Sequence, residues 1–598
     1  MSTQKYSVNQ HLTETVLSWV KSGEIAIPEI QRPFVWDASK VRDLMDSLYQ
    51  GYPIGYLIVW RNPNVKLKDG TTSSGRKILI DGQQRVIALK AAILGEPVVN
   101  KEYKQVKITI SFNPKEEKFE VLNPAIERDS SWLSDISKII SGDINILELV
   151  EEYCGKNPTV DRNDFYKKLE ALRQITKKQL GVIELEHDLD IEIVTEIFIR
   201  INSQGVVLSQ ADFVMSKIAA NEKYNGSIIR KSIDYFCHMA IAPEFHSQIV
   251  EVDKDFSSTD YFQRMSWLKQ ENDDLYDPDY TDLLRVAFAT EFNRGKMSDL
   301  VSLLSGRNFE TRTYEEEIER QSFASLEKGI FNFINETNFK RFLMIVRSAG
   351  FISPDLLRSQ NALNFAYIVY LKLRSLNYNS ADIEKYVRRW FIFSILTGRY
   401  SSSPESAFDF DIKNISTKNF GEYLDDVEKA DLSDAFWNVS LVQHLDSSVS
   451  SSPYFNVFLA AQVKDNDKGF LSTDITVRDL VTQRGDIHHI FPKSYLKKNG
   501  LTKGRYNQIA NYVYMQSEIN VKIGDKAPCD YFEHIQKQCN GGKLKYGGIN
   551  DAVSLKDNLE MHCIPEGISS MDIKGFDGFL EQRRQSMATK IKNYYFSL

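Results

Sequence analysis

The stretch Gly485-Asp486-Ile487-His488-His489-Ile490-Phe491-Pro492 constrains this chain more than any other. Its isoleucines and phenylalanine favour a pleated strand, whereas Pro492 has no N–H for a sheet ladder and so closes the run. Adjacent residues of a regular strand point to opposite faces. His488 and His489 can therefore serve one site only where the strand bends or stops beside them, and Pro492 makes such a stop available. Asn511 precedes a second β-forming run, Tyr512-Val513-Tyr514-Met515, and Asn520 follows on a helical stretch. Strand, strand and helix in this order suit the grip of one divalent cation over a phosphodiester.

Hydrolysis at a single cation needs a base to activate water, a cation to balance developing charge, and a group to orient the base. The residue types present can fill these roles. His488 is read as a metal ligand and His489 as the general base. Asn511 would support the base, Asn520 would supply a second ligand oxygen, and Asp486 is a further candidate ligand. Lys522 would meet the phosphate. The same spacing also fits two core or surface histidines near two capping asparagines, so spacing alone leaves both readings open.

Charge separates this tail from the rest. Residues 484–598 carry 17 Lys and Arg against 12 Asp and Glu, although the whole chain has a net charge of −7. A basic segment on an acidic body is expected where one domain handles a polyphosphate. Five scattered cysteines without a Cys-x-x-Cys pair exclude a disulfide framework and a zinc ribbon. No apolar run approaches the ~18 residues that span a bilayer, and the N-terminus lacks the apolar centre of a signal peptide. The expectation is a cytoplasmic protein with no membrane partner.

Upstream, Pro28 and Pro33 bar a regular helix through Ile27-Pro28-Glu29-Ile30-Gln31-Arg32-Pro33-Phe34-Val35-Trp36. Gln31, Arg32 and Trp36 there either line a pocket or edge a core. Asp37 or Ser39 can cap a helix that Gly51 ends. The run 56–60 reads as a short buried strand. A β run over 77–80 feeds Asp81-Gly82-Gln83-Gln84-Arg85 and then a helix marked by Val86, Leu89, Ala92 and Ile93. Strand, glycine turn and helix start together favour an anion, because free N–H groups and the helix dipole point outward. Arg85 can add a bidentate phosphate contact. Asp81 can hold a metal or a ribose hydroxyl, or simply cap the helix. Further on, 106–112 and 118–122 read as a hairpin, 164–180 as a helix and 181–185 as a strand. Arg200 and Asn202 close a turn that either faces the same pocket or lies at the surface. Residues 221–440 read as helical, their aromatic stripe as core. The domains expected are 1–220, 221–445 and 446–598.

The residues His488-His489-Ile490-Phe491-Pro492, Asn511 and Asn520 resemble the HNH, or ββα-metal, endonuclease signature. Ile27-Pro28, Gln31-Arg32 and Trp36, then Ile80 to Arg85, then Phe198, Arg200-Ile201-Asn202-Ser203 and Gly205 resemble the ParB/sulfiredoxin-like NTPase domains. In this order on one chain they are similar to the GmrSD class of type IV restriction enzymes, whose members include BREX-associated and phosphorothioate-sensing enzymes. The resemblance implies an α+β multidomain protein: a ParB/sulfiredoxin-like α/β N-terminal domain, a helical middle and a C-terminal HNH domain with surrounding helices. It implies an NTP bound and hydrolysed at Asp81, Gly82, Gln83, Gln84 and Arg85 with Arg200 and Asn202, and a sensing motif of Gln31, Arg32 and Trp36. It implies a homodimer contact and double-stranded modified DNA cut in antiphage defence. His488 stands where relatives commonly carry an acid, and imidazole suits Zn, Mn or Ni as well as Mg is suited by oxygen. Ile30 replaces the aromatic of phosphorothioate sensors, which points instead to hydroxymethylated or glucosylated cytosine. A phosphorothioate-sensing nickase and a nucleotide-switched DNA-binding protein with an inactive HNH fold are the alternatives.

Overall fold

The computed structural model describes residues 5–26, 36–61, 77–99, 105–186, 189, 197, 210–221, 223–270, 275–483, 485 and 487–598. Of the candidate site residues, Gln31, Arg32, Arg200, Asn202 and Asp486 lie outside these. The chain forms two compact units, Met1–Thr259 and Asp260–Leu598. This division falls at neither of the boundaries expected at 220 and 445.

The first unit is built on a five-stranded sheet. Its strands come from β1 (Tyr6–Leu12), β2 (Ile25–Ala26), β3 (Tyr56–Arg61), β4 (Lys77–Asp81) and, after two small hairpins, β9 (Gln179–Leu185). The order is β1-β9-β3-β4-β2, with β9–β3 and β4–β2 parallel and the other two pairs antiparallel. Alternate residues of β3 pack on opposite faces. Leu57 and Val59 join the larger core with Val16, Met45 and Leu89, while Ile58 and Trp60 join Ile80 and Leu185. Cover on both faces explains why 56–60 is continuously apolar rather than alternating. Helix α1 (Thr13–Lys21) and helix α2 (Ala38–Gln50) flank the sheet. Asp37 caps α2 by accepting from the Lys40 N–H, and Gly51, at φ 76°, ends it.

Two expected elements differ in extent. The hairpin expected from 106 is two hairpins: β5 (Val98–Val99) pairs with β6 (Gln105–Val106), and β7 (Ile110–Asn113) with β8 (Lys118–Val121). The helix expected over 164–180 stops at Arg173 and tightens into a 3₁₀ turn through Lys177, because Gln179 and Leu180 are taken into β9 against β1.

The second unit is largely helical. Its long helices include Tyr280–Phe292, Glu316–Ile334, Gln360–Ser375 and Ser380–Thr397. The aromatic stripe is core, as expected: Phe333, Phe339, Phe342, Phe365, Tyr367 and Trp390 are all buried. A buried carboxylate, Asp411, is satisfied by a bidentate pair with Arg399 and by the hydroxyls of Tyr400 and Tyr423. The short strands β10 (Ile487–His489) and β11 (Tyr512–Tyr514) sit near the end of this unit. Among the described residues no helix is long and apolar enough to cross a membrane. All five cysteines are free; Cys154, Cys237 and Cys563 are buried, whereas Cys529 and Cys539 are partly exposed.

Candidate active site

Strands β10 and β11 form an antiparallel pair in which His488 faces Val513 and His489 faces Tyr512. The ladder stops directly after His489. The Ile490 N–H donates to the Asn511 carbonyl at 2.9 Å. The Asn511 side chain then brackets Phe491: its Oδ1 accepts from the Phe491 N–H at 2.8 Å and its Nδ2 donates to the Phe491 carbonyl at 3.0 Å. Phe491 packs against Phe576 and Phe579, each at 5.0 Å between ring centroids. Pro492 then opens a short helix, Lys493–Lys498.

This stop brings the two histidines to one place. His488, His489, Lys493 and Asn520 line a single cleft of about 290 Å³ with Ile487, Pro492, Ser494 and Gly524. Asn520 belongs to the helix Ser517–Ile523. Its carboxamide makes no hydrogen bond among the described residues. Lys522, on the same helix, is exposed and lies outside the cleft lining.

His489 Nε2 is 3.1 Å from Asn507 Oδ1, and the imidazole stands edge-on to Tyr512 at 5.1 Å. Since a carboxamide oxygen only accepts, Nε2 carries the hydrogen and Nδ1 keeps the lone pair. Burial holds His489 below the ordinary imidazole range; the charges of Lys493 and His488 act in the same direction, against the bond to Asn507. His489 is therefore neutral near pH 7, the form a base requires. The orienting partner of His489 is Asn507, which sequence reasoning missed. Asn511, expected in that role, spends its side chain on Phe491. No motif spacing marks Asn507, which sits after a single helical turn, Lys503–Tyr506.

Among the described residues no group of three or more His, Cys, Asp or Glu converges. The donors that do share the cleft are the His488 imidazole and the Asn520 carboxamide. One nitrogen and one oxygen donor, with room for water, fit a divalent ion of the Mg, Mn, Ni or Zn type.

In the first unit, β4 ends at Asp81, Gly82 turns at φ 96°, and the helix Gln83–Ile93 begins. A side chain at Gly82 would be strained at this φ, and its Cβ would force Leu57 Cδ2, 2.3 Å away, to move. Arg85 folds back over this turn. Its Nη1 donates to the Tyr56 carbonyl and its Nη2 lies 3.7 Å from the Asp81 carboxylate. Asp81 thus faces Arg85 and does not cap the helix. Gln83 is buried, whereas Gln84 and Arg85 are half-buried. Trp36 packs against the larger core of this unit.

Residues 14–219 match the GmrSD restriction endonuclease N-terminal domain. The GmrSD stretch runs from α1 through β9 to the helix Gln210–Ala220 and includes the Asp81–Arg85 turn. The match places similarity to GmrSD restriction endonucleases in this N-terminal stretch. A similarity that extends beyond the GmrSD domain is with the uncharacterized protein MJ0686 of Methanocaldococcus jannaschii. The two are 23% identical over 97% of this chain and 98% of the relative. The histidine cleft lies outside the GmrSD stretch.

Proposed function

We propose that the chain is a nucleotide-dependent type IV restriction endonuclease that hydrolyses modified DNA at the His488–His489 cleft. The observation that carries this reading is the arrested strand, which puts a neutral histidine, a second histidine and a carboxamide without a hydrogen bond among the described residues into one cleft. His489 Nδ1 takes a proton from water. The water oxygen attacks phosphorus, a new P–O bond forms, and the bond to the leaving sugar oxygen breaks; that oxygen takes a proton from solvent, giving a phosphomonoester and an alcohol. Asn507 fixes the tautomer and the ring orientation of His489. His488 and Asn520 would hold a divalent cation, which when bound would offset charge on the phosphate and leaving oxygens.

The Asp81-Gly82-Gln83-Gln84-Arg85 turn is proposed as the NTP site, supported by its strand–glycine–helix form and its half-buried guanidinium. Hydroxymethylated or glucosylated cytosine is the proposed mark, on the strength of Ile30 in the sensing motif. The decisive experiment replaces one base. His489→Ala should lose DNA cleavage by about 10²–10⁴-fold, the usual weight of a general base, and keep NTP hydrolysis. Cleavage at the original rate would refute the site.

A further inference from the structure

We propose that Lys493 and Lys497 are the DNA-phosphate ligands of the histidine cleft, Lys493 at the scissile phosphate and Lys497 at its neighbour. The inference rests on the nuclease reading above and replaces Lys522, which the sequence favoured, with residues the fold brings to the cleft. Lys493 is the basic residue of the cleft lining. Lys497 follows four residues later, so both lie on one face of the helix Lys493–Lys498. Both ammonium groups sit over the same ring: Lys493 Nζ is 5.8 Å and Lys497 Nζ 5.6 Å from the centroid of Tyr506. Tyr506 is itself buried, so the ring is a fixed platform. An aromatic face restrains a long, flexible cation without neutralising it, which lowers the ordering cost of meeting an anion.

Two nearby cations are already paired. Lys498 pairs with Asp525, and Arg505 makes two bonds to Asp577 at 2.7 and 2.9 Å. Lys493 and Lys497 have no carboxylate partner among the described residues. No carboxylate among the described residues therefore competes with a backbone phosphate for either side chain.

Salt dependence reads such contacts directly. The full-length protein is titrated with a short DNA duplex in EDTA, where no cutting occurs, over a series of salt concentrations. Each phosphate contact contributes about 0.9 to the slope of log affinity against log salt. Lys493→Ala and Lys497→Ala should each reduce the slope by about one, and the double variant by about two. Lys498→Ala should leave it unchanged. With metal and saturating DNA, Lys493→Ala should also reduce turnover, and Lys497→Ala much less. Unchanged slopes in both variants, or an equal loss in Lys498→Ala or Lys522→Ala, overturns the proposal. If His489→Ala abolishes cleavage while the lysine slopes stay unchanged, the lysines fall and the nuclease reading stands. If the slopes fall as expected but the unsubstituted protein, given NTP and Mg, Mn, Ni or Zn, cuts neither hydroxymethylated nor glucosylated DNA, the nuclease reading falls and the lysines stand as DNA ligands.

Discussion

A carboxamide carries one acceptor and two donors on a short stem; Asn511 uses both kinds on Phe491 and makes a longer bond to the Tyr506 carbonyl at 3.5 Å. The side chain is fully buried. Removing it strands the N–H and C=O of Phe491 away from water, at about 1–3 kcal/mol for each group left unpaired. Asn511→Ala should therefore lower the melting temperature of the protein and reduce cleavage with it. An unchanged melting curve would mean that water or a shifted backbone replaces the clasp. At this scale the sequence was informative about residue types. Two histidines, a proline and two asparagines at this spacing suited one site, and equally a structural cluster, until the resemblance was added. It was silent on which asparagine meets which partner, because Asn507 and Asn511 differ in tertiary surroundings and not in chemistry. Lys493 was passed over for the same reason: its place in the cleft depends on where the strand stops.

Among the elements, the helix Phe576–Phe596 supports the strand pair at its exit. It contributes Phe576 and Phe579 against Phe491, and the fully buried Arg583, which donates to the carbonyls of His562 at 3.0 Å and Ala510 at 2.8 Å. Ala510 immediately precedes the clasp residue. Burial pushes the Arg583 guanidinium down to about 10. Burial first, and the Arg583 charge second, hold His562 down at about 3. His562 is neutral in the fold, its Nε2 donating to the Lys468 carbonyl at 2.9 Å. The unfolded chain protonates this imidazole near 6.5, so between about 6.5 and about 3 it binds the extra proton. Stability is complete above that window and falls as the pH drops through it, by about 1.4 kcal/mol per pH unit for one group. Thermal unfolding at a series of pH values should show a shallower acid loss in His562→Gln than in the parent; parallel curves would assign the loss elsewhere. Elements were read best from the sequence where local signals and packing agreed, as at Asp37, Gly51 and the apolar strand 56–60. They were read worst where pairing decided the ends, as in the helix cut short at Arg173 by the strand β9.

For the whole molecule, the motif order placed a GmrSD-type stretch and a histidine cleft on one chain, and these fall in separate compact units. Composition hinted at this through the basic tail. The compact-unit boundary itself was not legible, since helices on both sides of residue 259 have similar periodicity. A nucleotide effect on cutting must depend on the Asp81–Arg85 turn if the proposed assignment holds. Asp81→Ala should weaken NTP binding by about tenfold, equivalent to 1.4 kcal/mol, and remove any response of cleavage to NTP. Calorimetric titration of the variant with each NTP tests this, and unchanged affinity would make the turn structural.

The pairing of His488 with Val513 and of His489 with Tyr512 has an evolutionary corollary. Side chains alternate along a strand, so a slip of one residue exchanges the faces of everything it carries. A single-residue insertion that moved the pairing would offer His488 where His489 belongs and leave Asn507 beside the wrong ring. The segment joining the two strands can thus change length only if the bond from Ile490 to Asn511 is kept as its zero mark, and drift there should favour substitution over insertion.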